Sequence, residues 1–118
     1  MANKTREDDI NTLSYVISQV DVCISFVKNL DLDTFLSDIK TCYATSMALQ
    51  VICENINKVT DDTKSLSNDI EWKKMIGLRN IISHDYGKLM FEDMYNTVIS
   101  DLPKLKVDLD KLLDKIGH

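Results

Sequence analysis

Apolar residues recur along the chain at steps of three and four, the spacing that places side chains on one face of an α-helix. The first such stripe consists of Ile10, Leu13, Ile17, Val20, Ile24 and Val27. It is preceded by Thr5 and Asp8, a pair that can cap the start of a helix. We therefore predict a long amphipathic helix that ends at a loop around residues 29–33.

A second long helix is predicted to begin at Asp33 or Thr34. Its inward-facing positions are Phe35, Ile39, Cys42, Leu49, Ile52 and Ile56, and a second apolar set widens the same face: Tyr43, Met47 and Val51. An apolar face this wide indicates a central helix that is packed on two sides. Residues 60–68 are rich in Ser, Thr, Asp and Asn, which predicts a loop.

A third, shorter helix is predicted to open at Asn68, because Asn68 and Glu71 have the spacing of a capping box. Gly87 is its predicted end. The last helix carries Phe91, Met94, Val98, Leu102, Leu105, Leu109, Leu112 and Ile116. Pro103 is predicted to kink or restart this helix just after Asp101.

The chain has 118 residues with only three Gly and one Pro, so few residues interrupt its helices. Its length and composition are those of one globular domain. We predict a single all-α domain over residues 1–118, an up-and-down bundle of four to five helices.

Charge and cysteine usage limit the possible functions. A net charge of −5 argues against a protein that coats nucleic acid by bulk electrostatics, although a local basic site is compatible with it. The three cysteines form no Cys-x-x-Cys pair, which predicts reduced core thiols in a cytoplasmic protein. We expect no membrane-spanning run. With two histidines and no metal-ligand spacing, we expect neither a metal nor another cofactor.

Candidate chemistry concentrates in the stretch RNIISHDYG, residues 79–87. The planar guanidinium of Arg79 suits phosphate oxygens, and His84 can exchange a proton near neutral pH. A base that activates a ribose 2′-OH and a cation that stabilises the phosphate transition state are the minimum needed to transesterify RNA without a metal. Asn80 and Ser83 are candidate supporting hydrogen-bonding residues.

Helix geometry sets a condition on this site. At about 100° per residue, Arg79 and Tyr86 share a face, whereas His84 lies about 140° from Arg79 around the axis. The two catalytic candidates converge only if the helix end distorts near Gly87 or if the site is completed across a subunit interface. On spacing alone, a purely structural explanation is at least as good as the catalytic one. In that explanation Arg79 forms a salt bridge, and the His-Asp-Tyr sequence at residues 84–86 ends the helix.

The pattern of Arg79, four residues, His84, one residue and Tyr86 resembles the signature of HepT-like proteins in the HEPN superfamily. Trp72 before the motif and the Asp101-Leu102-Pro103 sequence after it also resemble that family. Two positions depart from the usual pattern: Cys53 stands before Glu54 where a glycine is common, and Glu71 stands before Trp72 where a proline is common.

The resemblance implies a homodimeric helical bundle in which Arg79 and His84 of both subunits form a shared cleft. It implies a metal-independent endoribonuclease, the toxin of a type II/VII-like toxin–antitoxin pair, with Arg79 and His84 as catalytic residues. It also implies a cognate MNT-type nucleotidyltransferase antitoxin that AMPylates Tyr86. An alternative from another class is a non-catalytic helical partner that binds nucleotide or substrate for a minimal nucleotidyltransferase.

Overall fold

The computed structural model describes residues 5–75 and 88–117. All regular secondary structure in these two ranges is α-helical, which confirms the predicted class. The helices are α1 (Arg6–Val27), α2 (Leu32–Ser37), α3 (Ile39–Ile56), α4 (Asp61–Lys64), α5 (helical at 72–75), α6 (Lys88–Ser100) and α7 (Leu102–Gly117).

The first helix begins with the predicted cap and ends at the predicted loop. Thr5 and Asp8 form a capping box, in which the Asp8 N–H donates to Thr5 Oγ1 at 3.2 Å and the Thr5 N–H donates to Asp8 Oδ2 at 2.9 Å. At the other end Asn29 adopts a left-handed backbone with φ of 66°, a conformation that asparagine tolerates better than most residues. The helix then packs against α3 and α7.

The prediction of one continuous second helix was wrong, because the chain breaks at Asp38 into α2 and α3. The Asp38 carboxylate accepts from the Thr41 N–H at 3.2 Å and from the Thr41 hydroxyl at 2.7 Å, so it caps α3. These bonds hold the pKa of Asp38 below its usual value. Asp31 caps α2 in the same way, by accepting from the Thr34 N–H at 2.8 Å.

The inward face of α2 and α3 was predicted correctly at five positions: Phe35, Cys42, Leu49, Ile52 and Ile56 are buried. It was wrong at Ile39, which is 55% exposed. The widening residues Tyr43 and Met47 are 65% and 61% exposed, so the described residues leave the second apolar side of α3 largely open. These apolar side chains share one stripe because they are spaced four residues apart.

The predicted loop at residues 60–68 contains the short helix α4, whose N-cap is Thr60. The predicted helix start at Asn68 is also wrong: residues 68–70 are bends and the helical residues begin at 72. Ser, Thr, Asp and Asn indicate helix caps as well as loops, which explains both errors.

The last predicted helix is divided at Asp101 into α6 and α7, as Pro103 required. Pro103 lies in the first turn of α7, where a helix does not need its missing N–H. All eight residues predicted to face inward on this stretch are buried. They join the described parts of α1 and α3 in one hydrophobic core.

The three cysteines Cys23, Cys42 and Cys53 are buried, as predicted. Burial raises the pKa of the Cys23 thiol to about 12, with a further contribution from Cys53. Burial also raises the pKa of the Cys42 thiol, and buried thiols with a raised pKa are poor nucleophiles.

One expectation about membranes needs correction. By length and composition alone α1 is apolar enough to cross a bilayer, although no such run was expected. Its buried residues Leu13, Val16 and Val20 belong to the hydrophobic core, so it also fits the description of a core helix.

Tyr95 on α6 attaches the α1–α2 connection to the bundle. Its hydroxyl donates to the Leu30 carbonyl at 2.6 Å, and its ring lies 5.4 Å from that of Phe35. Replacing Tyr95 with Phe keeps the ring packing but leaves the carbonyl without this donor. We expect a loss of about 1 kcal/mol in the free energy of unfolding, measured by urea denaturation. The exposed Tyr15→Phe is the control, and equal stability of both variants would contradict the assignment.

Candidate functional site

The candidate residues of the 79–87 stretch all lie outside the described ranges: Arg79, Asn80, Ser83, His84 and Tyr86. The structure therefore describes the two flanks of this segment, which are residues 69–75 before it and α6 after it. These flanks give the positions at which the described chain stops before the segment and resumes after it.

The flank before the motif is attached to the bundle by Trp72 and its neighbours. The Trp72 indole N–H donates to the Lys64 carbonyl at 3.2 Å, and the Lys64 ammonium lies 5.8 Å from the indole ring centroid. Ile70 and Met75 are buried in the core on either side of it. The chain thus enters the motif from a segment anchored by hydrogen bonding and by apolar burial.

Helix α4 contains Lys64, whose carbonyl accepts from Trp72. This helix is attached to α1 by Asp9. This carboxylate is 1% exposed and accepts from the Thr60 N–H at 3.1 Å, the Thr60 hydroxyl at 2.6 Å and the Thr63 hydroxyl at 2.5 Å. A buried carboxylate is stable when its oxygens are satisfied by such donors. A continuous set of contacts therefore runs from α1 through α4 to the start of the motif flank.

The flank after the motif is α6, which begins at Lys88. Met90 and Phe91 are buried, and the Phe91 ring lies 6.0 Å from that of Tyr43 on α3. The start of α6 is thus packed close to the exposed side of α3.

A cavity of about 450 Å³ lies beside the first flank, between residues 69–75 and the junction of α6 with α7. Its floor is apolar and its rim carries four carboxylates and two lysines. The residues around it are Asp69, Ile70, Glu71, Lys74, Met75, Thr97, Asp101, Leu102, Lys104, Leu105 and Asp108.

Both lysines of this cavity are engaged by carboxylates. Lys104 Nζ lies 2.7 Å from Asp108 Oδ2, a contact that raises the pKa of Lys104. Lys74 Nζ lies 3.3 Å from Asp101 Oδ2. With these cations neutralised and acidic groups in excess, the cavity is poorly suited to bind a phosphate. It therefore does not replace Arg79 as the candidate phosphate clamp.

Among the described residues, no group of three or more His, Cys, Asp or Glu side chains could hold a metal ion. Glu54 lies exposed on the last turns of α3. Asn80 and Ser83 stay predictions together with Arg79, His84 and Tyr86.

Comparison with protein families identifies the bundle. A model described as "Ribonuclease HepT-like" matches residues 16–112, which include both flanks and the whole Arg79–Tyr86 motif. The chain belongs to the HepT-like ribonuclease family. The HepT-like resemblance noted from the motif and from Trp72 is thereby confirmed.

Individual HepT-like relatives agree along nearly their whole length. The chain is 28% identical over 103 residues to "Putative RNase MJ1380" of Methanocaldococcus jannaschii, covering 86% of this chain and 94% of that protein. It is 29% identical over 100 residues to "Probable ribonuclease HepT" of Thermococcus cleftensis, covering 85% and 91%. A comparison with solved structures gave no match.

Sequence analysis missed two parts of the framework around this HepT-like motif. It did not assign a partner to Asp9, because the threonines that bind it are 51 and 54 residues away. It assigned no role to Lys64, whose carbonyl accepts from Trp72. One feature of the sequence could have indicated the partner of Asp9. This acidic residue lies on the inward side of α1, and a buried carboxylate requires hydrogen-bond donors.

Proposed function

We propose that this protein is a metal-independent endoribonuclease that acts in the cytoplasm as the toxin of a type II/VII-like toxin–antitoxin pair. The observation that carries the proposal is the match to the HepT-like ribonuclease family across a segment containing Arg79, His84 and Tyr86. Relatives of similar length named as ribonucleases support it.

The proposed reaction is an internal transesterification of RNA. His84 removes the proton from a ribose 2′-OH, and the 2′ oxygen attacks the adjacent phosphorus. The bond from phosphorus to the 5′ oxygen breaks, the departing 5′ oxygen takes a proton from solvent to become a 5′-OH, and a 2′,3′-cyclic phosphate remains. Arg79 binds the non-bridging oxygens as their charge develops, while Asn80 and Ser83 supply hydrogen bonds.

The proposed control is covalent modification of Tyr86 by a cognate MNT-type nucleotidyltransferase. The phenol oxygen attacks the α-phosphorus of ATP, pyrophosphate leaves, and the phenol proton passes to solvent or to a base of the partner. The added phosphodiester is negatively charged and bulky beside the proposed RNA cleft. It would therefore exclude the substrate by charge repulsion and by volume.

The proposed active species is a homodimer. On a regular helix Arg79 and His84 point in different directions, and a second subunit allows one copy to supply the residue that the other lacks. Each subunit contributes its own motif segment to the shared cleft.

Incubation of the purified chain with total RNA in EDTA tests this function directly. We expect fragments with 2′,3′-cyclic phosphate ends, and we expect prior treatment with the nucleotidyltransferase and ATP to abolish cleavage. A Tyr86→Phe variant is the matched control, since it should cleave RNA but escape silencing. Intact RNA with a folded, unmodified protein would contradict the proposal.

A second candidate function is that of a non-catalytic helical partner that binds nucleotide or substrate for the nucleotidyltransferase. The net charge of −5 favours it, because an RNA-degrading enzyme usually benefits from a basic surface. Expression of this chain alone separates the two functions. Growth arrest supports the toxin, and normal growth supports the partner.

A further inference from the structure

The middle of helix α3 carries no charge. Residues 41–53 contain no Asp, Glu, Lys or Arg, although 28% of the whole chain is charged. A helix that lacks charge on every side is normally covered on every side. Here Tyr43 and Met47 are 65% and 61% exposed, so one side of α3 is largely open among the described residues.

The residues on this uncovered side have a symmetric spacing. Lys40, Tyr43, Met47, Val51 and Glu54 follow one another at steps of three, four, four and three. At about 100° per residue they lie within about 40° of Met47 around the helix axis. None of the five is buried. We call these five residues the α3 stripe.

The order of residues in the α3 stripe is self-complementary. If two copies of α3 cross antiparallel about a two-fold axis at Met47, residue 40 of one copy faces residue 54 of the other. Lys40 then meets Glu54 twice, and Tyr43 meets Val51 twice. An interface of identical surfaces requires this kind of matching. Its uncharged centre with Tyr and Met, and its charged ends, follow the composition of protein interfaces.

We propose that the α3 stripe binds the α3 stripe of a second copy of this chain, antiparallel, with Met47 at the two-fold axis. The inference rests on the proposed homodimer and adds the surface that forms it. RNA is a poor occupant, because the stripe offers Lys40 as its one cation.

This interface adjoins the site that the homodimer is proposed to complete. The Tyr43 ring lies 6.0 Å from that of Phe91, one turn into α6. Lys88, the first residue of α6, is bonded directly to the end of the motif segment. Antiparallel pairing separates the two Tyr43 side chains by about 12 Å along α3, at 1.5 Å per residue. In the proposed dimer the two α6 helices therefore lie close to one shared interface.

Charge reversal at the two ends of the stripe gives a specific test, read by sedimentation and native mass spectrometry without RNA. Lys40→Glu alone and Glu54→Lys alone each place like charges together twice and should weaken self-association. A mixture of the two variants pairs Glu with Lys at both ends. We expect heterodimers above the proportion for random mixing, and we expect the double variant K40E/E54K to self-associate like the wild type.

Met47→Asp tests the centre of the stripe, since it places two carboxylates at the two-fold axis. We expect the dimer Kd to rise at least roughly tenfold. Val107→Asp is the matched control, because Val107 is 52% exposed on α7, away from the stripe. Circular dichroism checks that all variants remain helical.

Two outcomes would overturn the proposal. One is a mixture of K40E and E54K that shows no preference for heterodimers. The other is a Met47→Asp variant that dimerises like the wild type but no longer becomes AMPylated, which would assign the stripe to the nucleotidyltransferase. RNA cleavage by the wild type is measured separately, so failure of this interface is distinct from failure of the ribonuclease function.

Discussion

Replacing His84 with alanine is expected to lower RNA cleavage by at least about 100-fold, while the protein stays folded. General acid–base catalysis by a positioned side chain contributes roughly 100-fold to 10,000-fold. Alanine removes the only group of the motif that exchanges protons near neutral pH. The measurement is the initial rate of cleavage of a fluorescently labelled RNA in EDTA, with circular dichroism as the check on folding.

The chain offers its own control for this variant, because His118 is its other histidine. His118→Ala should cleave at the wild-type rate. A His84→Ala protein that cleaves as fast as the wild type would show that the mechanism is wrong.

Arg79 allows the charge and the shape of the proposed phosphate clamp to be separated. Arg79→Ala should abolish cleavage, because no cation then balances the charge on the phosphate. Arg79→Lys keeps a positive charge but loses the planar, two-pronged donor, so we expect only partial activity. Equal rates for Arg79→Lys and the wild type would mean that charge alone is needed.

Asp9→Ala should lower the free energy of unfolding by about 3 kcal/mol, a large fraction of the stability of a small domain. The carboxylate accepts from one backbone N–H and two hydroxyls while 1% exposed, so its removal leaves buried donors of Thr60 and Thr63 without an acceptor. For a chain of this size the melting temperature should fall by roughly 10 °C, measured by differential scanning calorimetry.

Two further variants show whether the loss of stability in Asp9→Ala comes from removing a buried hydrogen-bond acceptor or from removing any acidic residue of α1. Glu7→Ala removes an exposed acid on the same helix and should leave the melting temperature close to that of the wild type. Asp9→Asn keeps an oxygen and an amide that can pair with the threonine side chains, so we expect a smaller loss than with alanine. Equal losses for Glu7→Ala and Asp9→Ala would contradict the assigned role.

The periodic stripes predicted the core because burial depends on local spacing, which is why all the inward residues of α6 and α7 were correct. The break at Asp38 was missed because Phe35, Ile39 and Cys42 keep helical spacing across it. The pattern therefore continues even though the backbone does not. Capping by Asp38 depends on its bonds to Thr41, and an apolar stripe contains no information about that bond.

The wrong expectations at Tyr43 and Met47 have a different origin. The apolar pattern correctly indicated a helix with two apolar sides, but the residues that the structure describes cover only one of them. Periodicity reports that a side is apolar and does not report which molecule covers it. Likewise the motif predicts candidate residues for the chemistry, while the framework of Asp9, Thr60 and Trp72 depends on contacts between distant parts of the chain.

The bond from Trp72 to the Lys64 carbonyl has a practical consequence. Trp72 is the sole tryptophan of the chain, and it lies half-buried, seven residues before Arg79 and beside a lysine ammonium. Indole emission responds to hydration and to nearby charge. The molecule thus carries an intrinsic fluorescent reporter on the flank of its motif, whose emission can be followed in real time and without a label.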